Sequence, residues 1–252
     1  GEAYSVLTLQ LNKLHGWEKS SITLAFSLAI LLLGLSAAFL GPMVEKMGPK
    51  RSARLSEVFY TTGIAGAGLG VYLGILPLFI LCYGVIGGIG LGVGYITPVS
   101  PLVKWFPDRR GFATGLAVMG FGLGSLMFGP IMVALMNIMP VHQVLFLLAG
   151  VYGTMIFAAS FVVAPPPENM FKNDSTEAVM PKGVLTNLSA KEALGTVRFY
   201  LLWVMLFINI TCGISLISVA SPISQEMGGL SVIQAASLVG MMGLFNGFGR
   251  IF

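Results

Sequence analysis

The sequence predicts an all-α fold: a polytopic transmembrane helical bundle of about seven full spans, preceded by the end of one more helix. Three observations carry this. Apolar residues make up 56% of the chain, charged residues only 10%, and the mean hydropathy is +0.88, whereas a soluble domain is about 25% charged. Residues 22–40 and 58–82 contain no charged group, and about 20 apolar residues span the hydrocarbon core of a bilayer. A chain of 252 residues is also too short to wrap so many apolar segments in a soluble core. Backbone polar groups in lipid must be satisfied internally, and runs of this length satisfy them as helices rather than as barrel strands.

In chain order, residues 3–14 read as the tail of an earlier helix. Spans follow at 21–43, 54–75, 77–103, 112–138, 142–164, 198–222 and 230–252. The gap between the first two spans holds the densest short cluster of charge, Gly41-Pro-Met-Val-Glu45-Lys46-Met-Gly48-Pro-Lys50-Arg51. The third and fourth are separated by Lys104-Trp-Phe-Pro-Asp-Arg-Arg-Gly111. Pro165-Pro166-Pro167-Glu168 ends the fifth, since a proline run cannot continue a helix. Ser231 and Gln234 have capping-box spacing and open the last span.

Orientation follows from the bases. Lys46, Lys50, Arg51, Arg54, Lys104, Arg109, Arg110, Lys172, Lys182, Lys191 and Arg198 fall on one side, eleven of the fourteen, while the other side has Lys13 and Lys19. The positive-inside rule makes the segments at 44–54, 104–111 and 165–197 cytoplasmic. The net charge of +4 reflects this bias and calls for no nucleic acid partner. Residues 165–197 mix both charge signs and gain little by packing, so they read as a linker. The chain then divides into a half at 1–164 with six helices, the first incomplete, the linker at 165–197, and two helices of a second half at 198–252.

A weak internal echo crosses the linker. Ile96-Thr-Pro-Val-Ser-Pro101 returns 121 residues later as Ile217-Ser-Val-Ala-Ser-Pro222. Transporters built from repeated units show such symmetry, with broken helices lining a central site. Glycines recur every four residues at Gly66, Gly70 and Gly74, at Gly84, Gly88 and Gly92, and at Gly120 and Gly124. Each row lies along one helix face. Small residues let helices approach closely in lipid, where no hydrophobic force drives them together.

Gly41-x-x-x-Glu45-Lys46-x-Gly48-x-Lys50-Arg51 resembles the signature between the second and third helices of the major facilitator superfamily, with Glu-Lys where Asp-Arg is usual. Gly120-x-x-x-Gly124-Ser-Leu-Met-Phe-Gly129-Pro130 resembles, in stretched form, the fifth-helix motif of antiporters of that superfamily. Lys104–Gly115, Arg198-Phe-Tyr-Leu-Leu-Trp203 and Leu244-Phe-Asn-Gly-Phe-Gly-Arg250 are similar to the oxalate:formate antiporter family, carriers of small carboxylates. The resemblance implies alternating-access transport, a bilayer as the surrounding partner and a monomeric full-length carrier. It also implies that this chain lacks the start of helix 1 and helices 9 to 12.

Arg250 is the charge this reading places inside a span, and an ionisable residue there marks a functional site by default. Its guanidinium can grip a carboxylate through two parallel hydrogen bonds. From a helix start at Ser231 it stands about 28 Å along, close enough to the end to snorkel to headgroups instead. The family comparison favours the first reading, because the eighth-helix arginine of those carriers sits in a similar Asn-Gly-x-x-Arg setting. That arginine is paired in the family with a lysine on helix 11, which this chain does not contain. Tyr4 and Tyr95 match aromatic pocket positions of the family. Phe121 stands where a tyrosine is expected and removes a hydroxyl, which makes a monocarboxylate such as lactate, pyruvate or formate as fitting as oxalate. By the same analogy Glu45 joins neighbouring bases, and Asp108, in a latch at the cytoplasmic ends of the helices.

No enzyme is expected. The chain has no Gly-x-x-x-x-Gly-Lys-Ser/Thr, Gly-x-Ser-x-Gly or His-Glu-x-x-His motif. His15 and His142 read as solvated loop residues, and Cys82 and Cys212 as lone thiols, so no metal or cofactor is implied. A carrier of another small solute, and a receptor that binds on the same fold without moving its ligand, are the alternative functions.

Overall fold

The computed structural model describes residues 2–165 and 190–231, with seven further positions between 234 and 249. Within the first compact unit, residues 2–165 form α1 (Glu2–His15), α2 (Lys19–Met47), α3 (Pro49–Leu73), α4 (Leu76–Trp105), α5 (Arg110–Ile138) and α6 (Val141–Val162). Among the described helices, α2, α4 and α6 are long and apolar enough to cross a membrane on length and hydropathy alone. At about 1.5 Å per residue, α3 and α5 also exceed the hydrocarbon thickness, with 25 and 29 residues. The all-α transmembrane bundle expected from the apolar runs is therefore the observed fold.

The charged connections are shorter than the sequence implies. Residues 44–54 read as a loop, yet α2 continues to Met47 and α3 begins at Pro49, leaving Gly48 alone outside a helix. The charges sit on helix ends, where Lys46 in the last turn of α2 complements the helix dipole and Pro49 needs no amide partner. Likewise α4 runs through Trp105 and a short 3-10 turn, Pro107–Arg109, leads into α5. At the opposite end, Gly74 closes α3 in a left-handed conformation, φ 72, and Pro77 lies in the first turn of α4.

The centre of the unit is α4 laid against α2 and α3 with backbones nearly touching. A Cβ built at Gly88 would stand 2.9 Å from the Ala29 carbonyl of α2, and one at Gly84 would stand 3.0 Å from that of Ala25. A second row on α4 meets α3, where a Cβ at Gly90 would stand 2.5 Å from the Tyr60 nitrogen. A Cβ at Gly63 of α3 would stand as close to the Gly87 nitrogen, at 2.6 Å. A buried hydrogen bond crosses the same contact, from Ser56 Oγ to the Gly90 carbonyl at 2.8 Å. The other expected rows divide. Gly66 and Gly70 pack on Cys82 and Phe79 of α4, Gly74 is the helix cap just described, and Gly120 and Gly124 have no described neighbour within 4 Å.

One irregularity lies elsewhere than the sequence suggests. The echo at 96–101 suggests a helix broken at proline, but α4 passes through Pro98 and Pro101 without interruption. The departure comes earlier, where Ile80–Ile86 winds as π-helix and the Gly87 amide donates to the Cys82 carbonyl. The apolar core near this end gathers Leu7 and Leu11 of α1, Trp17, Ile22 of α2, Phe79 and the α6 residues Val144 and Leu145. Phe79 stacks on Tyr83 with ring centroids 5.6 Å apart and meets Trp17 at 5.8 Å.

The second unit is described by residues 190–231 and by 234, 238, 241 and 242. A single helical turn, α7 (Ala190–Leu194), falls inside the expected linker, whose other residues from 166 to 189 lie outside the described ones. Thr196 then caps α8 (Val197–Glu226), its hydroxyl oxygen accepting from the Phe199 amide at 3.3 Å. Every side chain from Tyr200 to Cys212 is exposed. After α8 the capping box is realised: Gln234 Oε1 accepts from the Ser231 amide at 3.0 Å, and Ser231 Oγ accepts from the Gln234 amide at 3.4 Å.

Candidate functional site

The signature segment builds the corner between α2 and α3. Gly48 holds φ 79, a conformation that side chains disfavour, which explains why glycine stands at that position of the motif. Behind the corner, the buried Ser52 Oγ donates to the Val44 carbonyl at 3.1 Å and fastens the first turn of α3 to the last turn of α2. Glu45 is thereby held beside the end of α4, where its Oε1 lies 3.6 Å from Lys104 Nζ. Two further contacts converge here. Trp105 Nε1 donates to the Ala164 carbonyl beyond α6 at 3.0 Å, and the Arg54 guanidinium lies over Phe157 and Phe161 of α6, 5.8 and 5.4 Å from the ring centroids. Four helix ends are tied by these contacts around an open cleft lined by Val44, Glu45, Thr97, Ser100, Lys104 and Pro165, among others.

The ion pair is exposed, 53% for Lys104 and 61% for Glu45, so it adds only about 0.2–1 kcal/mol to stability. Reversing either charge alone is expected to lower the unfolding midpoint slightly, and Glu45→Lys with Lys104→Glu to restore it. Thermal unfolding at low and high salt checks this, because screening should erase the difference. Gly41 lies within α2 with no described neighbour within 4 Å, while Lys46, Lys50 and Arg51 are exposed and make no ion pair among the described residues. Asp108, exposed in the 3-10 turn, also makes none there.

The residues proposed from sequence for a substrate pocket are described unevenly. Tyr95 is half-buried on α4. Tyr4 is a position of α1 and Phe121 a position of α5, but their side chains lie outside the described residues, as does Arg250 altogether. In the fifth-helix motif, α5 runs unbroken through Gly129 and Pro130. Sequence reasoning missed two participants. Lys104 was read as an orientation charge and as the start of a family motif, not as the partner of Glu45. Arg250 was taken as the only charge within a span, yet Glu57 lies inside α3. The histidines are not loop residues either: His15 ends α1 stacked on Trp17 at 4.9 Å, and His142 in the first turn of α6 meets Tyr72 at 5.2 Å.

The family model described as Major Facilitator Superfamily matches residues 3–252. The chain belongs to that superfamily. The chain is an integral membrane protein of a transporter family. Among curated relatives, the uncharacterized MFS-type transporter YhjX of Escherichia coli (strain K12) is 28% identical over 92% of this chain and 56% of its own length. The oxalate:formate antiporter of Oxalobacter formigenes is 25% identical over 94% of this chain and 54% of its own length. The apicoplast pyruvate carrier 1 of Toxoplasma gondii is 34% identical over 47% of this chain and 21% of its own length. The chain spans about half the length of the first two.

Proposed function

We propose that this major facilitator chain works in secondary active transport of a small carboxylate by alternating access. The observation that carries the reading is that the antiporter and the pyruvate carrier among its relatives both name small carboxylates as cargo. In this reading residues 1–164 are the N-terminal half, 165–197 a cytoplasmic linker and 198–252 the first helices of the C-terminal half of a monomeric carrier in a bacterial cytoplasmic membrane. Arg250 neutralises the substrate, and Tyr4, Tyr95 and Phe121 shape its pocket. The motif on α5 with Gly120, Gly124, Gly129 and Pro130 supplies a smooth small-residue face that can slide during the transport cycle. The Glu45–Lys104 pair, with Gly41, Lys46, Gly48, Lys50 and Arg51 around it, acts as a latch on one gated state. An exposed pair suits that task, since a contact worth about 1 kcal/mol can be broken and remade within a transport cycle.

The test is counterflow uptake of labelled oxalate, formate, lactate and pyruvate into proteoliposomes containing the full-length protein, beside Arg250→Gln. One acid is expected to enter with the wild type, and the substitution to abolish its entry in a protein that still folds. Entry of none of the four would sink the carboxylate reading, and entry indifferent to Arg250→Gln would remove that residue from the pocket.

A further inference from the structure

The first turns of α3 carry Lys50, Arg51 and Arg54, all exposed. Helix stability does not account for them, because the start of a helix disfavours positive charge and α3 has neither an acid in its first turn nor a capping side chain. None of the three makes an ion pair or a side-chain hydrogen bond among the described residues. The acids nearby are placed otherwise: Glu45 pairs with Lys104, and Glu57, half-buried one turn beyond Arg54, makes no ion pair with it.

Arg54 is nonetheless held in place. Its guanidinium lies 5.8 and 5.4 Å from the ring centroids of Phe157 and Phe161 on α6, an attraction between a cation and ring faces. The two rings meet edge to face at 5.1 Å, and both are exposed, as is Val58. Lys50, Arg54 and Val58 follow one another at four-residue spacing and share a face of α3. A helix crosses a hydrocarbon layer of about 30 Å in about 20 residues, so α3, counted back from Leu73, leaves that layer near Arg54. Along this face the bases therefore stand at and beyond the hydrocarbon boundary, and Val58, Phe157 and Phe161 stand within it. A small soluble anion would use the basic zone alone, whereas a lipid with a charged headgroup uses both.

We propose that this face of α3 and α6 is a binding site for an anionic phospholipid. The lipid phosphate accepts hydrogen bonds from the Arg54 guanidinium and the Lys50 ammonium, with Arg51 beside them, and an acyl chain runs along Val58, Phe157 and Phe161. Membrane orientation requires only charge at this end of α3, and a lysine at position 54 would meet it; the stacked guanidinium adds fixed directions for its N–H groups. The site rests on the chain being an integral membrane protein and not on the carboxylate reading.

The experiment is native mass spectrometry of the full-length protein in detergent, titrated with phosphatidylglycerol or with phosphatidylcholine of the same acyl chains. Phosphatidylglycerol is expected to bind at least about tenfold more tightly, the joint effect of three bases. Arg54→Gln is expected to lower its affinity about fivefold. Arg54→Lys should lose most of the same factor although the charge is kept, and Phe161→Ala, which removes one ring from under the guanidinium, should act in the same direction. Lys13→Gln, on an exposed position at the opposite end of the bundle, should change nothing. Equal binding of the two lipids by the wild type overturns the proposal, as does an undiminished preference in Arg54→Gln. A preference unmoved by both Arg54→Lys and Phe161→Ala also overturns it, since general attraction between charges would then be the whole effect. Displacement of the lipid by glycerol 3-phosphate, which has the phosphate without the chains, would replace the phospholipid with a soluble phosphate as the occupant.

Discussion

Gly90→Leu is expected to prevent the first unit from folding. The helices α3 and α4 meet there backbone to backbone, and even a methyl group on Gly90 would stand 2.5 Å from the Tyr60 nitrogen and 2.9 Å from its Cα. Neither atom can swing aside as the end of a side chain could. Overpacking a core by a methylene costs about 1–3 kcal/mol where neighbours can adjust, and a whole protein is stable by only about 5–15 kcal/mol. A leucine forces the two helices apart and breaks the buried Ser56–Gly90 hydrogen bond as they separate. Gly90→Ala should give a folded protein destabilised by about 2–3 kcal/mol. Gly150→Ala on α6, with nothing within 4 Å of its Cβ position, should be neutral or slightly stabilising. Yield of monodisperse protein and thermal unfolding in detergent distinguish the three, and a Gly90→Leu protein that unfolds at the wild-type temperature would disprove the close approach.

Phe79→Ala is expected to be the most damaging truncation of an apolar side chain. Among the described residues Phe79 is the largest side chain with no exposure, it stacks on Tyr83, and it meets Trp17 at the turn between α1 and α2. A soluble core loses about 3–5 kcal/mol on such a change, part from transfer out of water and part from the cavity. A bilayer weakens the transfer part, because lipid tails are as apolar as the core, and leaves the cavity part. A loss of about 3 kcal/mol is expected, with Phe79→Leu recovering more than half of it, read by chemical or thermal unfolding of the full-length protein.

The helices were legible because the bilayer imposes a length and a polarity that few other environments demand. Residues 22–40 and 58–82 show both directly, and the structure places helices on them. The glycine row at Gly84, Gly88 and Gly92 was legible as a contact face for the same reason, since lipid makes close backbone approach the main source of helix adhesion. Its neighbour at Gly87, Gly90 and Gly94 was not, because a four-residue period marks only one face of a helix that touches two partners. Pairings between distant segments, Glu45 with Lys104 above all, depend on how α2 and α4 rotate against each other, and no spacing in the chain encodes that rotation.

The π-helical stretch at Ile80–Ile86 has a counting consequence for the far end of the same helix. A π turn takes up about one residue more than an α turn, and each residue of an α-helix advances about 100° around the axis. Everything after Gly87 is therefore dialled round relative to an uninterrupted helix, including Tyr95 and Lys104. Lys104 arrives opposite Glu45 only because of an irregularity about 27 Å away along α4. Chain length through those seven residues, more than the identity of any of them, sets the angular address at which the helix delivers its charge.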